Sequence, residues 1–591
     1  MIGKVAGMTL SPIATLTLFL LSSGPLAADG VTTEIDVAVP MRDGTVLRAD
    51  VYRPSTGDPF PVLVYRTPYG KHDTVHWYDT HLAAVERGYA VILQDVRGRY
   101  ASEGEFYPYI HEGKDGFDTI EWAARQAWST GEVGTFGLSY PGAVQWLAAV
   151  EGPPHLKAMV PAMTFATSQR FFYFNGVFDL SWLPWINNSI APDARTRRGL
   201  AGPKTSDEAR AAWRLDSARM QSHLPLRTLP DLKEVAPYYY DWLRHPPTDD
   251  WWNWAELRGR YERVDAAVLN LSGWFDEAYG PDGATANFNG LMAARRDQTD
   301  PRTQLILGPW VHGVDEVQTS VTGDLDFGPD APIDYNEVVL RWMDRYVRGI
   351  ENGVEREGPV RLFVMGENRW RDESAWPPAS TQKRPLWLGA DPEGSANQAL
   401  LPMAPTEGPT STSFLSDPAD PVTDPYESFG PHDYQELARR TDLAIFQTEP
   451  LDSDLEVTGA MIAEIYVSCD CADLDLWVKV LDVAPNGFAH NLMSPGLDVL
   501  RASYREPEKG RQLLEPGNVY LLRLPHLITS NLFRQGHRIR VQISGAFFPH
   551  FSRNLQTGKL EANASETKAA TITVHHDPDH PSRVVLPVVE R

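Results

Sequence analysis

The chain has 591 residues, a formal net charge of −24 and 42% hydrophobic residues. A chain of this length divides into two or three domains, and its apolar content is sufficient for sizeable cores. The acidic excess repels nucleic acid and anionic lipid surfaces, so we expect neither as a partner.

The first 28 residues have the pattern of an export signal. Lys4 supplies a positive charge, Thr15 to Leu21 (TLTLFLL) supplies an apolar stretch, and small residues follow at Ser22 to Gly24 and at Ala27 and Ala28. The apolar run is too short for a comfortable membrane span. We therefore expect a cleaved signal peptide over residues 1–28 and an exported protein, periplasmic or secreted. An uncleaved N-terminal anchor is the alternative.

Residues 29–165 alternate between strand and helix patterns. The predicted strands are Val46 to Tyr52, Pro61 to Tyr65, Ala90 to Leu93 and Glu132 to Leu138, and the predicted helices are His81 to Arg87, Asp115 to Gln126 and Val144 to Val150. Short apolar strands between helices predict a mostly parallel sheet covered on both faces. This segment is therefore the expected first part of an α/β domain.

The alternation stops over residues 166–258 and then resumes. Clustered aromatics and stretches of helical composition in that segment predict a helical cap inserted over the sheet. Residues 259–378 are the expected second part of the α/β domain. Its predicted strands are Ala266 to Leu271 and Thr303 to Leu307, and its predicted helices are Gly283 to Arg296 and Tyr335 to Tyr346.

Residues 379–591 contain short β-rich runs separated by turn residues. The clearest runs are Met461 to Val467, Leu476 to Val483, Val519 to Leu524, Arg538 to Ile543 and Ala570 to Val574. Many short strands of this kind predict a β-sandwich.

The strongest local motif is Gly137 to Gly142 (GLSYPG), between a predicted strand and a predicted helix. A serine on such a sharp turn projects its Oγ above the sheet, and small neighbours allow the backbone to turn. The usual motif is G-x-S-x-G, whereas the second glycine here comes one residue later. Ser139 is therefore a candidate nucleophile, with a glycine-rich strand end of no catalytic role as the alternative.

A nucleophilic serine needs a base, and the base needs an acid that orients it; in α/β-hydrolases the chain order is serine, acid, histidine. Asp276 and His312 follow the two predicted strands of the second α/β segment. Catalytic groups in open α/β sheets lie beyond the carboxyl ends of strands. Placement and order together predict a triad of Ser139, Asp276 and His312.

Further motifs run along nearly the whole mature chain. They are Arg66 to Tyr69 (RTPY), Asp95 to Gly98 (DVRG), Gly273 to Asp276 (GWFD), Gly308 to His312 (GPWVH), Arg369 and Trp370, Gly536 to Arg540 (GHRIR) and Phe548 to Asn554 (FPHFSRN). With the serine motif, they resemble the cocaine esterase family, which includes glutaryl cephalosporin acylases, α-amino acid ester hydrolases and X-prolyl dipeptidyl peptidases. The resemblance implies an α/β-hydrolase domain, a helical cap and a C-terminal jelly-roll sandwich.

The same resemblance implies roles for individual residues. The Tyr69 hydroxyl and the backbone N–H of Tyr140 are the implied oxyanion donors. The cap aromatics Phe172, Phe178 and Trp182 are candidates for an apolar acyl pocket, with core packing as the alternative. No cofactor or metal is expected.

The implied substrate is a small ester or amide, or a short peptide. The α-amino acid ester hydrolases carry carboxylates two and three residues after the catalytic aspartate, where this chain has Ala278 and Tyr279. That ammonium-binding cluster is therefore not reproduced, although Glu277 and Asp282 are nearby. We expect an exported serine hydrolase of esterase or acylase type. The alternatives are an X-prolyl dipeptidyl peptidase, with Asp179 and Glu277 as candidate ammonium anchors, and a non-catalytic secreted binding protein.

Three other features are expected to be structural. Asp95 and Arg97 are predicted to form a charged pair that closes a strand-end turn. Cys469 and Cys471 are separated by one residue on a predicted strand, a spacing that would strain a disulfide, so two unpaired and partly buried side chains are expected. The segment His575 to His580 (HHDPDH) is predicted to be a solvated loop and not a metal site.

Overall fold

The computed structural model describes residues 30–74, 79–167, 169–277, 280–390, 398–406 and 410–590. The predicted signal peptide, residues 1–28, lies outside these residues. None of the helices within the described ranges is both long enough and apolar enough to cross a bilayer.

A ten-stranded sheet organises the N-terminal domain. Its strands are β1 (Val31–Pro40), β2 (Val46–Pro54), β3 (Phe60–Thr67), β4 (Ala90–Asp95), β5 (Ser129–Leu138), β6 (Leu156–Ala162), β7 (Ala267–Gly273), β8 (Thr303–Gly308), β9 (Val360–Val364) and β10 (Arg369–Glu373). They lie in the order β1-β2-β4-β3-β5-β6-β7-β8-β9-β10. The seven strands from β4 to β9 in this order are parallel, and β1, β2 and β10 are antiparallel additions at the edges. The predicted parallel sheet is therefore present.

Helices cover both faces of this sheet, as parallel sheets require. In chain order the α-helices are α1 (Lys71–Thr74), α2 (Thr80–Glu86), α3 (Glu112–Ala124), α4 (Tyr140–Ala149), α5 (Gln169–Phe172), α6 (Trp182–Trp185), α7 (Ala191–Arg198), α8 (Ser206–Ser222), α9 (Tyr238–Trp242), α10 (Gly280–Ala294) and α11 (Tyr335–Tyr346). Successive residues of β3 point to opposite faces. Val62 and Val64 pack in the cluster that includes α3 and α4, whereas Leu63 and Tyr65 pack in the cluster that includes α2 and α11.

Helices α5 to α9 belong to the insertion between β6 and β7. A two-stranded hairpin (Tyr173–Phe174 and Val177–Phe178) and a π-helical turn (Ile186–Ile190) accompany them. The longest of these helices, α8, begins at a capping box in which the Thr205 hydroxyl accepts from the Glu208 N–H and the Glu208 carboxylate accepts from the Thr205 N–H. Such reciprocal bonds fix where a helix starts.

The C-terminal domain is a β-sandwich of twelve strands. They are β11 (Thr381–Ala390), β12 (Gln398–Leu401), β13 (Ser411–Ser416), β14 (Leu443–Gln447), β15 (Leu455–Cys469), β16 (Asp475–Val483), β17 (Ala489–Asn491), β18 (Val499–Arg501), β19 (Tyr520–Phe533), β20 (Arg538–Ser544), β21 (Ala570–His575) and β22 (Arg583–Val589). The other short elements are spread over the described parts of the whole chain. They are a hairpin (Val321–Thr322 and Leu325–Asp326) and the 3-10 turns Leu226–Thr228, Asp250–Ala255, Tyr261–Arg263, Glu316–Gln318, Val354–Arg356, Glu436–Arg439, Ala502–Tyr504 and Pro507–Lys509.

Main-chain hydrogen bonds join this sandwich to the insertion. The Leu180 N–H donates to the His550 carbonyl at 2.9 Å, and the Ser552 N–H donates to the Phe178 carbonyl at 2.9 Å. The predicted fold class, an α/β-hydrolase domain with a C-terminal sandwich, is confirmed. The domain boundaries drawn from the sequence stay predictions.

The expectation for the two cysteines was wrong. Cys469 and Cys471 form a disulfide. The prediction assumed that both residues lie on one extended strand, but β15 ends at Cys469 and the chain bends immediately after it. The bend leaves the two Cα atoms 5.2 Å apart, which is within the ordinary range for a disulfide.

Candidate active site

Ser139 occupies a sharp turn between β5 and α4. Its backbone has φ 70° and ψ −127°, a conformation that non-glycine residues rarely adopt. The Ser139 N–H donates to the Ala162 carbonyl of β6 at 3.0 Å, and the Ser139 carbonyl accepts from the Ala143 N–H at 2.9 Å. These bonds hold the strained turn, as the motif predicts.

The displaced second glycine of the motif has a packing reason. A Cβ added at Gly142 would lie 2.4 Å from the Ala162 carbonyl oxygen. A Cβ added at Gly137, whose φ is +139°, would lie 2.6 Å from Cβ of Pro141. The start of α4 approaches β6 at residue 142 and not one residue earlier, so the second glycine is required there.

Asp276 and His312 meet beyond the carboxyl ends of β7 and β8. Nδ1 of His312 lies 2.6 Å from Oδ1 of Asp276, and Oδ2 of the same carboxylate accepts a hydrogen bond of 2.8 Å from Ser272 Oγ. The Asp276 side chain is fully buried. A Cβ at Gly280 would lie 2.1 Å from Oδ2 of Asp276, so glycine at the start of α10 makes room for the carboxylate.

The charges around His312 favour its protonated form. Burial lowers the pKa of His312, but the negative charges of Asp276 and Glu277 and the hydrogen bond to Asp276 raise it by more, to about 9. Glu277 directly follows the triad aspartate and is half-buried. The negative charge of Glu277 contributes to the raised pKa of the His312 imidazole.

Tyr69 lies beside the serine and contacts the insertion. Its hydroxyl accepts a hydrogen bond of 3.0 Å from Nε1 of Trp185. Burial raises the pKa of Tyr69, and hydrogen bonds with Trp185 and Ser139 offset only part of that rise. The phenol is therefore a neutral group that can donate its proton. Trp185 was not singled out from the sequence, and nothing in its local pattern separates it from the other aromatics of the insertion.

The Tyr140 side chain anchors the turn from beneath. Its hydroxyl donates to Oε1 of Glu112 at 2.9 Å and accepts from the Tyr109 N–H at 3.0 Å. Arg66 in turn pairs with Glu112 at 2.8 Å. The phenol is thus used within the core, and the group that Tyr140 can offer to a substrate is its N–H, which as the first N–H of α4 has no partner within the helix.

A cavity of about 240 Å³ opens beside Ser139, and Tyr69 and His312 also line it. Tyr65, Thr74, Tyr100, Leu138, Ser189, Ser206 and Arg210 complete its wall. Ser206 and Arg210 come from the first turns of α8, and the capping box that starts this helix is the sequence signal that could have located them. The cavity therefore brings Ser139 and His312 together with residues of the insertion.

The three predicted pocket aromatics lie elsewhere in the insertion. Phe172, Phe178 and Trp182 are buried and do not line the cavity beside Ser139. The rings of Phe172 and Trp182 stack at 4.7 Å, and Trp182 packs edge-on against Trp185 at 5.1 Å. Their described contacts are thus ring packing, and Trp182 supports the residue that reaches Tyr69.

Two of the three candidate carboxylates already have partners. Asp282 pairs with Arg170 at 3.3 Å and with His526 at 3.1 Å. Asp179 accepts from the Ser181 N–H at 2.8 Å, and burial raises its pKa to about 7. Ala278 and Tyr279 lie outside the described residues. Of the candidates for a substrate ammonium, Glu277 alone has its charge felt by both His312 and Tyr69.

Asp95 and Arg97 do not pair with each other, so that prediction was wrong. Asp95 accepts from the Lys71 N–H at 2.7 Å, and Arg97 pairs with Asp115 at 2.7 Å and with Asp43 at 2.9 Å. Asp95 ends β4 and Arg97 follows two residues later, and the two side chains bond to different segments of the chain.

Comparison with known proteins identifies the family. Residues 43–314 match the family model described as X-Pro dipeptidyl-peptidase (S15 family), and residues 352–585 match the X-Pro dipeptidyl-peptidase C-terminal non-catalytic domain. Cocaine esterase of Rhodococcus sp. (strain MB1 Bresler) is 36% identical over an alignment that covers 94% of this chain and 98% of that protein. The chain belongs to the S15 family. As an S15 protein it is a serine hydrolase, and the predicted resemblance is confirmed.

Solved structures resemble the S15 chain over almost its whole length. An α-amino acid ester hydrolase has a TM-score of 0.80 and 24% identity, covering 98% of this chain and 100% of its own. An aminopeptidase from a marine sediment Thaumarchaeota archaeon has a TM-score of 0.79 and 22% identity, covering 95% and 97%. At these identities the likeness establishes the fold of the S15 chain and not its substrate.

Proposed function

We propose that this S15 hydrolase is an exported esterase in which Ser139 is the nucleophile, His312 the general base and Asp276 the orienting acid. The observation that carries the proposal is the 2.6 Å contact between His312 Nδ1 and Asp276 Oδ1, where His312 lines the same cavity as Ser139. A serine activated by an imidazole, which a carboxylate orients, performs acyl transfer in hydrolases of this architecture.

The reaction follows from these groups. His312 removes the proton of Ser139 as Oγ attacks the ester carbonyl, and the resulting oxyanion receives hydrogen bonds from the Tyr69 hydroxyl and the Tyr140 N–H. Donors at this position stabilise the transition state by about 3–4 kcal/mol each. The imidazolium then gives its proton to the departing alcohol, leaving an acyl-enzyme. Water, deprotonated by His312, releases the acid and restores Ser139.

The cavity wall favours esters with an apolar or aromatic acyl group. Tyr65, Tyr100 and Leu138 give it apolar surface beside the serine. Asp282 is paired with the Arg170 guanidinium, and the raised pKa of Asp179 keeps part of that carboxyl uncharged near neutral pH. A substrate ammonium therefore meets little fixed negative charge from these two carboxylates. The 36% identity to cocaine esterase supports an ester substrate.

A dipeptidyl peptidase that releases X-Pro is the second candidate. The family model carries that description, and Glu277 supplies one negative charge next to His312. A peptide N-terminus bound by Glu277 would place its ammonium close to the base. This candidate requires that a single half-buried carboxylate anchors the substrate.

Parallel assays on the purified chain separate the two. We expect the kcat/KM for an aryl ester of an aromatic acid to exceed that for an X-Pro anilide at least a hundredfold, and Ser139→Ala to abolish both. If the parent chain hydrolyses the anilide faster than the ester, and Glu277→Gln lowers the kcat/KM for the anilide, the chain is a peptidase instead. Turnover that survives Ser139→Ala would remove the assignment of the nucleophile.

Export is part of the proposal. The N-terminal pattern of Lys4 and the apolar run Thr15 to Leu21 supports it, and so does the Cys469–Cys471 disulfide, because disulfides persist in oxidising compartments. N-terminal sequencing of protein from the periplasm or medium is the test. A mature N-terminus shortly after Ala28 is expected, whereas intact chain confined to the cytoplasm would contradict export.

A further inference from the structure

The turn between β21 and β22 gathers three metal-ligating side chains in the sandwich domain. His575 ends β21, and Asp577 and His580 follow it within the same turn. One possible ligand atom from each of the three lies within 4.8 Å of the other two, and among the described residues this is the group of three that meets that criterion. Three donors at such separations can share one ion.

The turn is only partly the solvated loop that the sequence predicted, because Pro578 and Asp579 are exposed whereas the residues before them are held in place. His576, between the first two ligands, is 2% exposed. Its N–H donates to the Thr410 carbonyl at 3.0 Å, and its carbonyl accepts from the Thr410 hydroxyl at 2.8 Å. The turn is thus tied to the segment that precedes β13.

Hydrogen bonds hold His575 and Asp577 in place, and His580 contacts Asp577. Ser468 Oγ lies 2.8 Å from Nε2 of His575, and Oδ1 of Asp577 accepts the N–H groups of Asp579 at 2.9 Å and His580 at 3.0 Å. Nδ1 of His580 lies 3.3 Å from Asp577 Oδ1. Hydrogen bonds to the groups behind the ligands are what fix ring orientation and ligand basicity in metal sites.

We propose that His575, Asp577 and His580 form a binding site for a first-row divalent transition-metal ion, with Zn²⁺ as the ion best matched. Two imidazoles and one carboxylate suit Zn²⁺ and leave one position of a tetrahedron to water. The bound ion would stabilise the turn that connects β21 to β22, which is the last strand of the sandwich in the chain. It takes no part in the chemistry at Ser139.

The test uses the full chain without a histidine tag, treated with a chelator and dialysed. Titration calorimetry with zinc chloride is expected to show one equivalent bound with a Kd in the micromolar range or tighter. His580→Gln and Asp577→Asn should each weaken binding at least tenfold. His223→Gln is the matched control, because His223 is partly exposed, contacts Thr228 and lies outside the cluster.

A second measurement shows whether each variant is folded. Without zinc, each variant should keep the ester hydrolysis and the melting temperature of the parent chain. With zinc, the melting temperature should rise for the parent and for His223→Gln but not for the two ligand variants. If a ligand variant does not fold, His575→Gln replaces it. The absence of saturable binding at one equivalent, or equal binding by the parent and the ligand variants, would overturn the proposal and leave an Asp577–His580 ion pair alone.

Discussion

Trp185 of the insertion donates a 3.0 Å hydrogen bond to the hydroxyl of Tyr69, which lies just after β3 of the α/β domain. Because the indole N–H can only donate, the Tyr69 oxygen acts as acceptor and its own proton is directed elsewhere. Ser139 is the other group that hydrogen-bonds this hydroxyl. The insertion therefore sets the direction in which Tyr69 donates.

Tyr69→Phe removes one oxyanion donor and should lower kcat about 10²-fold with little change in KM. Trp185→Phe keeps the hydroxyl but removes the bond that orients it, so a smaller loss of kcat is expected. Steady-state kinetics on one aryl ester measures both. An unchanged kcat in Tyr69→Phe would exclude the hydroxyl from the oxyanion site.

Glu277→Gln should shift the pH dependence of kcat/KM. His312 must be neutral to act as base, and its pKa is about 9, so activity falls as the pH drops through that value. Removing the Glu277 charge lowers the pKa of the imidazole, so the midpoint of the acid limb should move to lower pH. Glu508→Gln, at an exposed site in the sandwich, is the control and should leave the profile unchanged. A midpoint that stays in place in Glu277→Gln would show that its charge does not reach His312.

Ser272→Ala should impair catalysis through Asp276. It leaves Oδ2 of the buried carboxylate without its 2.8 Å donor. A hydrogen bond to a charged group contributes about 1.5–3 kcal/mol, so kcat should fall about tenfold or more. Ser494→Ala is the matched control, since Ser494 is fully buried and its hydroxyl has no hydrogen-bond partner among the described residues. Equal kcat values in the two variants would contradict the role of Ser272.

Arg501→Met should destabilise the sandwich. The Arg501 guanidinium is buried and pairs with Asp475 at 2.7 Å and Glu561 at 2.8 Å. Removing it leaves two buried carboxylates without a cation, at a cost of about 3–5 kcal/mol. The melting temperature should fall clearly. Arg439→Met, which breaks an exposed pair with Glu436, should cost less than about 1 kcal/mol, and a similar loss in both variants would show that burial does not decide the effect.

The catalytic framework was accessible from the sequence because it depends on short-range patterns. The predicted helix Tyr335 to Tyr346 has those bounds in the structure, and the strands before Ser139, Asp276 and His312 are present. Buried parallel strands are continuous apolar runs, and their carboxyl ends lie at one edge of the sheet. Three residues far apart in the chain could therefore be assigned to one site.

The remainder depends on packing between segments, which local patterns do not encode. The bond from Trp185 to Tyr69 joins two elements that lie more than 100 residues apart. The separate partners of Asp95 and Arg97, and the bend that brings Cys469 to Cys471, likewise follow from where the chain turns. The α4–β6 contact at Gly142 accounts for the displaced glycine only once β6 is in place.

Active-site labelling tests the central claim most directly. The parent chain is treated with a fluorophosphonate probe, digested and mapped by mass spectrometry, with Ser139→Ala treated in parallel. We expect one adduct, on Ser139, together with loss of ester hydrolysis in proportion to labelling, and no adduct in Ser139→Ala. An adduct on another serine that tracks the loss of activity, or full labelling of Ser139→Ala, would contradict the account.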